Sequence, residues 1–314
     1  MAPSLGFSVS CYRGDLPLLR GCLASIRHYA PDAPICLIID GDFNTSSLER
    51  IYNVIPIRRR DIKDSGLQKW SFGFGITKMV AFWEAPFDIV FHIDADCVML
   101  GDVRKNLPQA SWDVVFNEPH EDITPYIQQT QYFDPSRIFH YIPEFPWENN
   151  PYFQAGVIVV KRGSLDLDEY MRMLEGQRRH PDIFVNGDQG MLNILVFRAL
   201  HAGKIKALPA HLQTVVPVLT TSELERRFSM DQYRFNAPVM NPSVIHWAGP
   251  KPYCSERHPF SGPMDFFRVR GMRETGFPQW IPPHLSMEID EFSCRLLPRF
   301  KNKVKSKIKK LLNL

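Results

Sequence analysis

The 314-residue chain lacks any apolar run near the roughly 20 residues that a membrane-spanning helix needs. It also lacks a CxxC pair. Its six cysteines stand at 11, 22, 36, 97, 254 and 294, which speaks against a thiolate zinc site and against a small disulfide scaffold. Cys36 and Cys97 fall inside apolar runs, where cysteine acts as a small buried hydrophobe, and all six are expected to be reduced. No internal repeat and no low-complexity segment occurs. Residues Met1 to Leu5 carry no basic region leading into an apolar stretch, so no secretory signal is expected. Acids are absent from Arg295 to Leu314, where eight basic residues stand. Removing those eight from the net charge of +3 leaves −5 for the rest, which argues against a nucleic-acid-binding surface. What is present is an ordinary globular mix, 44% hydrophobic and 23% charged, which excludes whole-chain disorder and supplies a real core.

The first ninety residues alternate strand and helix signals. Gly6–Tyr12 reads as a strand, and Leu16–Tyr29 as a helix closed by Pro31. Pro34–Asp40 is a short continuous apolar run suited to a buried parallel strand. A helix over Gly75–Ala85, ended at Pro86, precedes a strand over Asp88–Ile93. This alternation predicts an α/β fold, a doubly wound sheet with its ligand site beyond the carboxyl ends of the strands. Residues 117–151 are rich in Pro, Asn, aromatics and acids without clear period, and read as an insertion or lid facing substrate. A strand over Ala155–Val160, a helix over Asp188–Leu200 and a strand over Ser243–Ile245 follow, while 254–285 reads as irregular. One domain over 1–290 is expected, with 291–314 as a separate basic tail.

The sharpest chemical feature is Asp94-Ala95-Asp96 at the end of a buried strand. Two carboxylates one residue apart can reach one hard divalent cation, Mn²⁺ or Mg²⁺, which in turn bridges phosphates. Two enzyme classes use such a pair. In haloacid-dehalogenase-like phosphatases the first Asp of DxDx[TV] is the nucleophile; Asp94–Val98 fits that pattern, with Asp188 as the later acid. That nucleophile normally follows the first strand, whereas two strands and two helices precede the strand that leads into Asp94. In nucleotide-sugar glycosyltransferases of the GT-A type the pair follows about a hundred residues of nucleotide-binding sheet, as it does here. Further along, His246 stands at a strand end, with Gly249 and Lys251 after it. Glycine permits close approach of backbone to a phosphate, lysine supplies a point charge, and the imidazole could complete an oxygen-rich cation site.

These residues, taken together, resemble the family 8 retaining glycosyltransferases, which include glycogenin and bacterial lipopolysaccharide galactosyl- and glucosyltransferases. That family's HxxGxxKPW signature is similar to His246, Gly249, Lys251 and Pro252, with one residue fewer between Gly and Lys and with Tyr253 for Trp. Its DQxxLN segment looks like Asn186–Asn193, its NAGV-like strand like Gln154–Val157, and its phosphate-reaching lysine like Lys78 after Thr77. The resemblance implies a GT-A fold, Rossmann-like and mixed, and a UDP-sugar donor. It implies Asp94, Asp96 and His246 as metal ligands, and Lys78 and Lys251 on the diphosphate. Ala95, Gln154, Gly249 and Tyr12 would join the donor site, with Tyr12 either stacking on the base or buried in the core. Asp188 and Gln189 would sit beside the donor sugar and steady its positive charge in a front-face reaction; as chemistry alone, Asp188 could equally be a helix N-cap. An inverting enzyme of the same fold is the alternative, with Glu118, Glu121 or Asp122 as base.

In the tail, Phe300, Val304, Ile308 and Leu311 share one helical face and lysines occupy the rest. Such a basic amphipathic helix suits an anionic membrane, to which each basic residue adds on the order of 1 kcal/mol. The expectation is a cytoplasmic enzyme held peripherally on the inner face of a membrane, acting on a glycan or lipid-linked glycan acceptor.

Overall fold

The computed structural model describes residues 4–73, 75–119, 123–138, 140–142, 150–185, 187–228, 241–256, 258 and 260–297. A seven-stranded sheet forms its centre, in the order β3-β2-β1-β4-β7-β6-β8. The strands are β1 (Leu5–Tyr12), β2 (Ile35–Asp40), β3 (Val54–Arg58), β4 (Ile89–Ile93), β6 (Val114–Asn117), β7 (Val157–Lys161) and β8 (Ala207–Ala210). The half from β3 to β4 is parallel; β7 then runs antiparallel to both β4 and β6, so the sheet is mixed. A second sheet of three strands joins β5 (Cys97–Leu100), β10 (Ser243–His246) and β9 (Gln213–Val215), with β10 in the middle.

Side-chain alternation divides the core into two layers. Phe7, Val9, Leu37, Phe91, Ile93 and Val159 face one side, packing with α1 (Leu16–Tyr29) and the small sheet. Cys36, Ile38, Val90, Ile158 and Val160 face the other, toward α4 (Ala81–Glu84), α7 (Leu167–Arg179) and α8 (Asp188–His201). Short helices α2 (Ser46–Tyr52) and α3 (Ser65–Trp70) complete the amino-terminal half. No described helix is long and apolar enough to cross a membrane.

The strands and helices anticipated near 6–12, 16–29, 35–40, 89–93 and 188–200 are all present. Other segments differ. The helix expected over 75–85 is a 3₁₀ turn, Ile76–Val80, that passes into α4. The Thr77 hydroxyl donates to Asp40 Oδ2 at 2.8 Å and accepts from Gly73 N, which tightens this turn. Within 117–151, α5 (Pro125–Gln131) and α6 (Pro135–Ile138) form, the first capped by Thr124. The stretch read as irregular contains the 13-residue α10 (Gly262–Glu274) and the start of α11 (Pro283–Glu291), after α9 (Thr221–Arg227). The buried face of α10 is Met264, Phe267, Arg268, Gly271 and Met272, a true helical period. Arg268 and Gly271 hide it, because neither is the apolar residue expected on a core face.

Candidate active site

The carboxyl end of β4 leads into Asp94-Ala95-Asp96, and Asp96 leads into β5. In the small sheet His246 lies opposite Cys97, and Trp247 N donates to Asp96 O at 3.3 Å, extending the ladder one step. Antiparallel register therefore brings together two side chains 150 positions apart. His246 Nε2 lies 3.6 Å from Asp96 Oδ1 and 3.9 Å from Asp94 Oδ2. The ring also packs against the start of β7: a Cβ on Gly156 would stand 2.2 Å from His246 Cε1. Only a residue without a side chain fits there.

Gln213, on the neighbouring strand β9, decides which nitrogen of His246 carries the proton. Its Nε2 donates to Gln154 O at 3.2 Å, which turns its Oε1 toward His246 Nδ1 at 2.9 Å. That oxygen can only accept, so Nδ1 carries the hydrogen and the Nε2 lone pair faces the two carboxylates. Burial holds His246 below its ordinary pKa, outweighing the opposite pull of Asp96 and Asp94. It is thus neutral at pH 7.

Asp94 is held from the core side. Its Oδ1 meets His92 Nε2 at 3.1 Å, and His92 Nδ1 meets Ser8 Oγ at 3.0 Å; both partners are wholly buried. Its Oδ2 accepts from Lys78 Nζ at 2.9 Å. Burial opposes ionisation of Asp94, but Lys78 and then His92 outweigh it and hold the carboxyl well below the usual range. Lys78 Nζ also lies 2.9 Å from Asp188 Oδ2 and donates to Ala155 O at 3.3 Å. Those three partners use its three N–H groups. Lys78 thus binds two carboxylates together, and a diphosphate would share its donors with them.

Asp188 is the first residue of α8, and its carboxyl is turned to Lys78. The N-cap position belongs to Gly187, at φ +57°, so the capping role considered for Asp188 is not the one it plays. Burial raises its pKa to about 6 against the pull of Lys78. Gln189, half-buried, donates from Nε2 to Gln131 O at 3.2 Å. Asn193, one turn on, accepts from Phe153 N at 3.0 Å and donates to Phe153 O at 2.9 Å, fixing the approach to β7. Asn186 lies outside the described residues.

Lys251 Nζ is ion-paired with Asp96 and donates to Trp247 O at 3.0 Å, with 31% of its side chain exposed. Gly249, in the loop between them, has φ +91° and is exposed. Tyr12 is not a core residue: at the end of β1 it is 50% exposed. Gln154 is half-buried and contributes its carbonyl to Gln213. Of the three acids considered as a base, Glu118 is exposed and faces His211 at 3.3 Å, while Glu121 and Asp122 lie outside the described residues. Sequence reading missed Ser8, His92, Gln213 and Asp15. Burial, with Asp96 and Asp94 nearby, pushes the Asp15 carboxyl up to about 7, and Tyr253 Oη donates to it at 3.4 Å.

The donor set suits a hard divalent cation: two carboxylates and a neutral imidazole whose lone pair points at both. Asp96, Cys97 and His246 each place one ligand atom within 4.8 Å of the others, while the Asp94 carboxylate comes near this group only through His246, at 3.9 Å. Burial raises the Cys97 thiol well above its ordinary pKa and keeps it protonated, so the oxygens are the better ligands.

Among solved structures the chain is similar to the galactosyltransferase LgtC in complex with donor and acceptor sugar analogues. The two share 16% identity over 88% of this chain and 97% of that one, at a TM-score of 0.51. It is also similar to the apo bifunctional glycosyltransferase WbbM, with 14% identity over 94% of this chain and 52% of that one, again at 0.51. The fold is the GT-A glycosyltransferase fold. No protein-family model matches the chain, and no curated protein matches it in sequence. In the GT-A fold Asp94 follows the fourth strand, which removes the fold-level support for the phosphatase reading.

Proposed function

We propose that the protein is a metal-dependent retaining glycosyltransferase of the family 8 kind. It would move a hexose from a nucleotide sugar, a UDP-sugar, to a glycan or lipid-linked glycan acceptor. One observation carries this reading: the β5–β10 register sets His246 Nε2 within 3.9 Å of both carboxylates of Asp94-Ala95-Asp96, in a GT-A fold. Asp94, Asp96 and His246 would hold Mn²⁺ or Mg²⁺, which when bound supplies positive charge for a departing diphosphate. Lys251, ion-paired with Asp96 but partly exposed, would swing to the same phosphates, and Gly249 would let the backbone approach them. Ala95 would line the same donor site. Tyr12 would stack on the nucleobase from the end of β1, and Gln154 would reach sugar hydroxyls. Lys78, paired with Asp94 and Asp188, would also contact the diphosphate, and Asp188 and Gln189 would sit beside the transferred sugar and steady its positive charge. The basic tail, whose residues 298–314 lie outside those described, would attach the enzyme to the inner face of an anionic membrane.

The test is donor turnover over a panel of UDP- and GDP-sugars, following nucleoside diphosphate release with Mn²⁺ and with EDTA. Release from one sugar nucleotide that needs Mn²⁺ and falls by at least about 10²-fold in Asp96→Ala is the expected result. No release from any donor, with hydrolysis of a simple phosphate ester instead, would overturn it.

A further inference from the structure

Helix α11 continues into a single π turn, Phe292–Leu296, and the two faces of this element differ sharply. Inward, Ser286, Met287, Asp290 and Glu291 are buried. Asp290 pairs with Arg20 of α1 at 3.1 Å, and Glu291 pairs with Arg268 of α10 at 2.9 Å. Outward, Leu285, Ile289, Phe292 and Leu296 are 46%, 43%, 54% and 47% exposed. Their spacing of four, three and four residues sets them on one face. Trp280, just ahead of the helix, is 82% exposed. His284 and Glu288, 3.0 Å apart, are the exposed polar residues of α11 beside this stripe, and the large apolar side chains are left in water with them.

Charge decides what covers this face. From Arg299 to Lys310 the next residues include seven basic side chains and no acid. A second copy docked on the same stripe would bring two such tails together, which like charges oppose. An anionic lipid surface meets both features at once, the apolar stripe in the acyl boundary and the lysines on the headgroups. We infer that the outward face of α11 and its π turn, led by Trp280, is a membrane seat, and that docking is not confined to the tail beyond it. The inference extends the membrane association proposed above and rests on that reading.

The seat is bonded to the catalytic side of the molecule. Glu291 Oε1 accepts from Cys254 N at 2.8 Å, and the Arg295 guanidinium stacks 3.3 Å from the centre of the Tyr253 ring. Both partners belong to the loop that carries Lys251. A bilayer under Ile289 and Phe292 would thus have one helix between it and that loop, within reach of an acceptor anchored in the membrane.

Flotation of the full chain with vesicles tests this without any turnover. The probes are phosphatidylcholine vesicles, alone or with about one third phosphatidylglycerol. The unsubstituted protein is expected to float with the anionic vesicles only. Ile289→Asp/Phe292→Asp, with the basic tail intact and an unchanged thermal midpoint, is expected to lose at least about tenfold in partitioning. Leu285→Asp serves instead if the double variant fails to fold. Flotation of the variant equal to that of the unsubstituted protein would mean that the tail docks alone, and would overturn the seat. So would failure of the unsubstituted chain to float, or a dimer in lipid-free solution that the substitutions dissolve. Because flotation is independent of donor turnover, the transferase reading can fall while the seat stands, and the reverse.

Discussion

At the scale of single residues, the site depends on side chains that orient other side chains. Gln213 fixes the tautomer of His246, an outer contact of the kind that typically changes metal affinity by 10–100-fold. Gln213→Leu is expected to weaken Mn²⁺ binding within about that range, read by titration calorimetry, with Gln213→Glu retaining it because a carboxylate still accepts from Nδ1. Gly156→Ala would drive a methyl into the His246 ring and weaken binding as well, without touching any ligand atom. Asp15 adds a pH dependence. Its carboxyl ionises near pH 7, so a negative charge appears beside Asp96 and Asp94 as pH rises from 6 to 8. Mn²⁺ affinity should rise over that interval and rise less in Asp15→Asn.

At the scale of elements, Lys78 in its 3₁₀ turn joins the DxD loop to the start of α8. Lys78→Met removes the cation between two buried carboxylates, a change expected to cost about 3–5 kcal/mol in urea unfolding. Burial raises the Asp188 carboxyl to about 6 even against the pull of Lys78, so in the variant it takes up its proton at a higher pH still. Below that pH the leftover charge is relieved, and above it the charge is fully present, so the loss should be larger at pH 8 than at pH 5. Elements with continuous apolar runs or clean helical periods, such as β2, β4 and α1, were legible in the sequence because local pattern and burial agree there. The mixed sheet and α10 were less so. The direction of β7 is set by tertiary pairing with β4, and the inner face of α10 contains Arg268, paid for by Glu291 from another helix. The residues proposed as ligands, Asp94, Asp96 and His246, could be picked out by type and order. Gln213 could not, since nothing local at 213 points to a histidine 33 residues away. His92 did leave a trace, as the one polar residue within an otherwise apolar strand.

At the scale of the whole molecule, the proposed cation site joins segments far apart in the chain, so filling it should stabilise the fold. With Mn²⁺ at about a hundred times its Kd the gain is about 2.7 kcal/mol, seen as a higher thermal midpoint that EDTA abolishes and Asp96→Ala lacks. The three-stranded sheet makes this linkage possible. Its ladder also gives the site something like a postal address: His246 reaches the carboxylates because it is written opposite Cys97. Trp247, the next residue, is wholly buried on the other face. A slip of one position would deliver an indole to the cation and an imidazole to the core. The chain between β9 and β10 could therefore change in length without moving the site, whereas a single residue inserted within β10 would misdirect it.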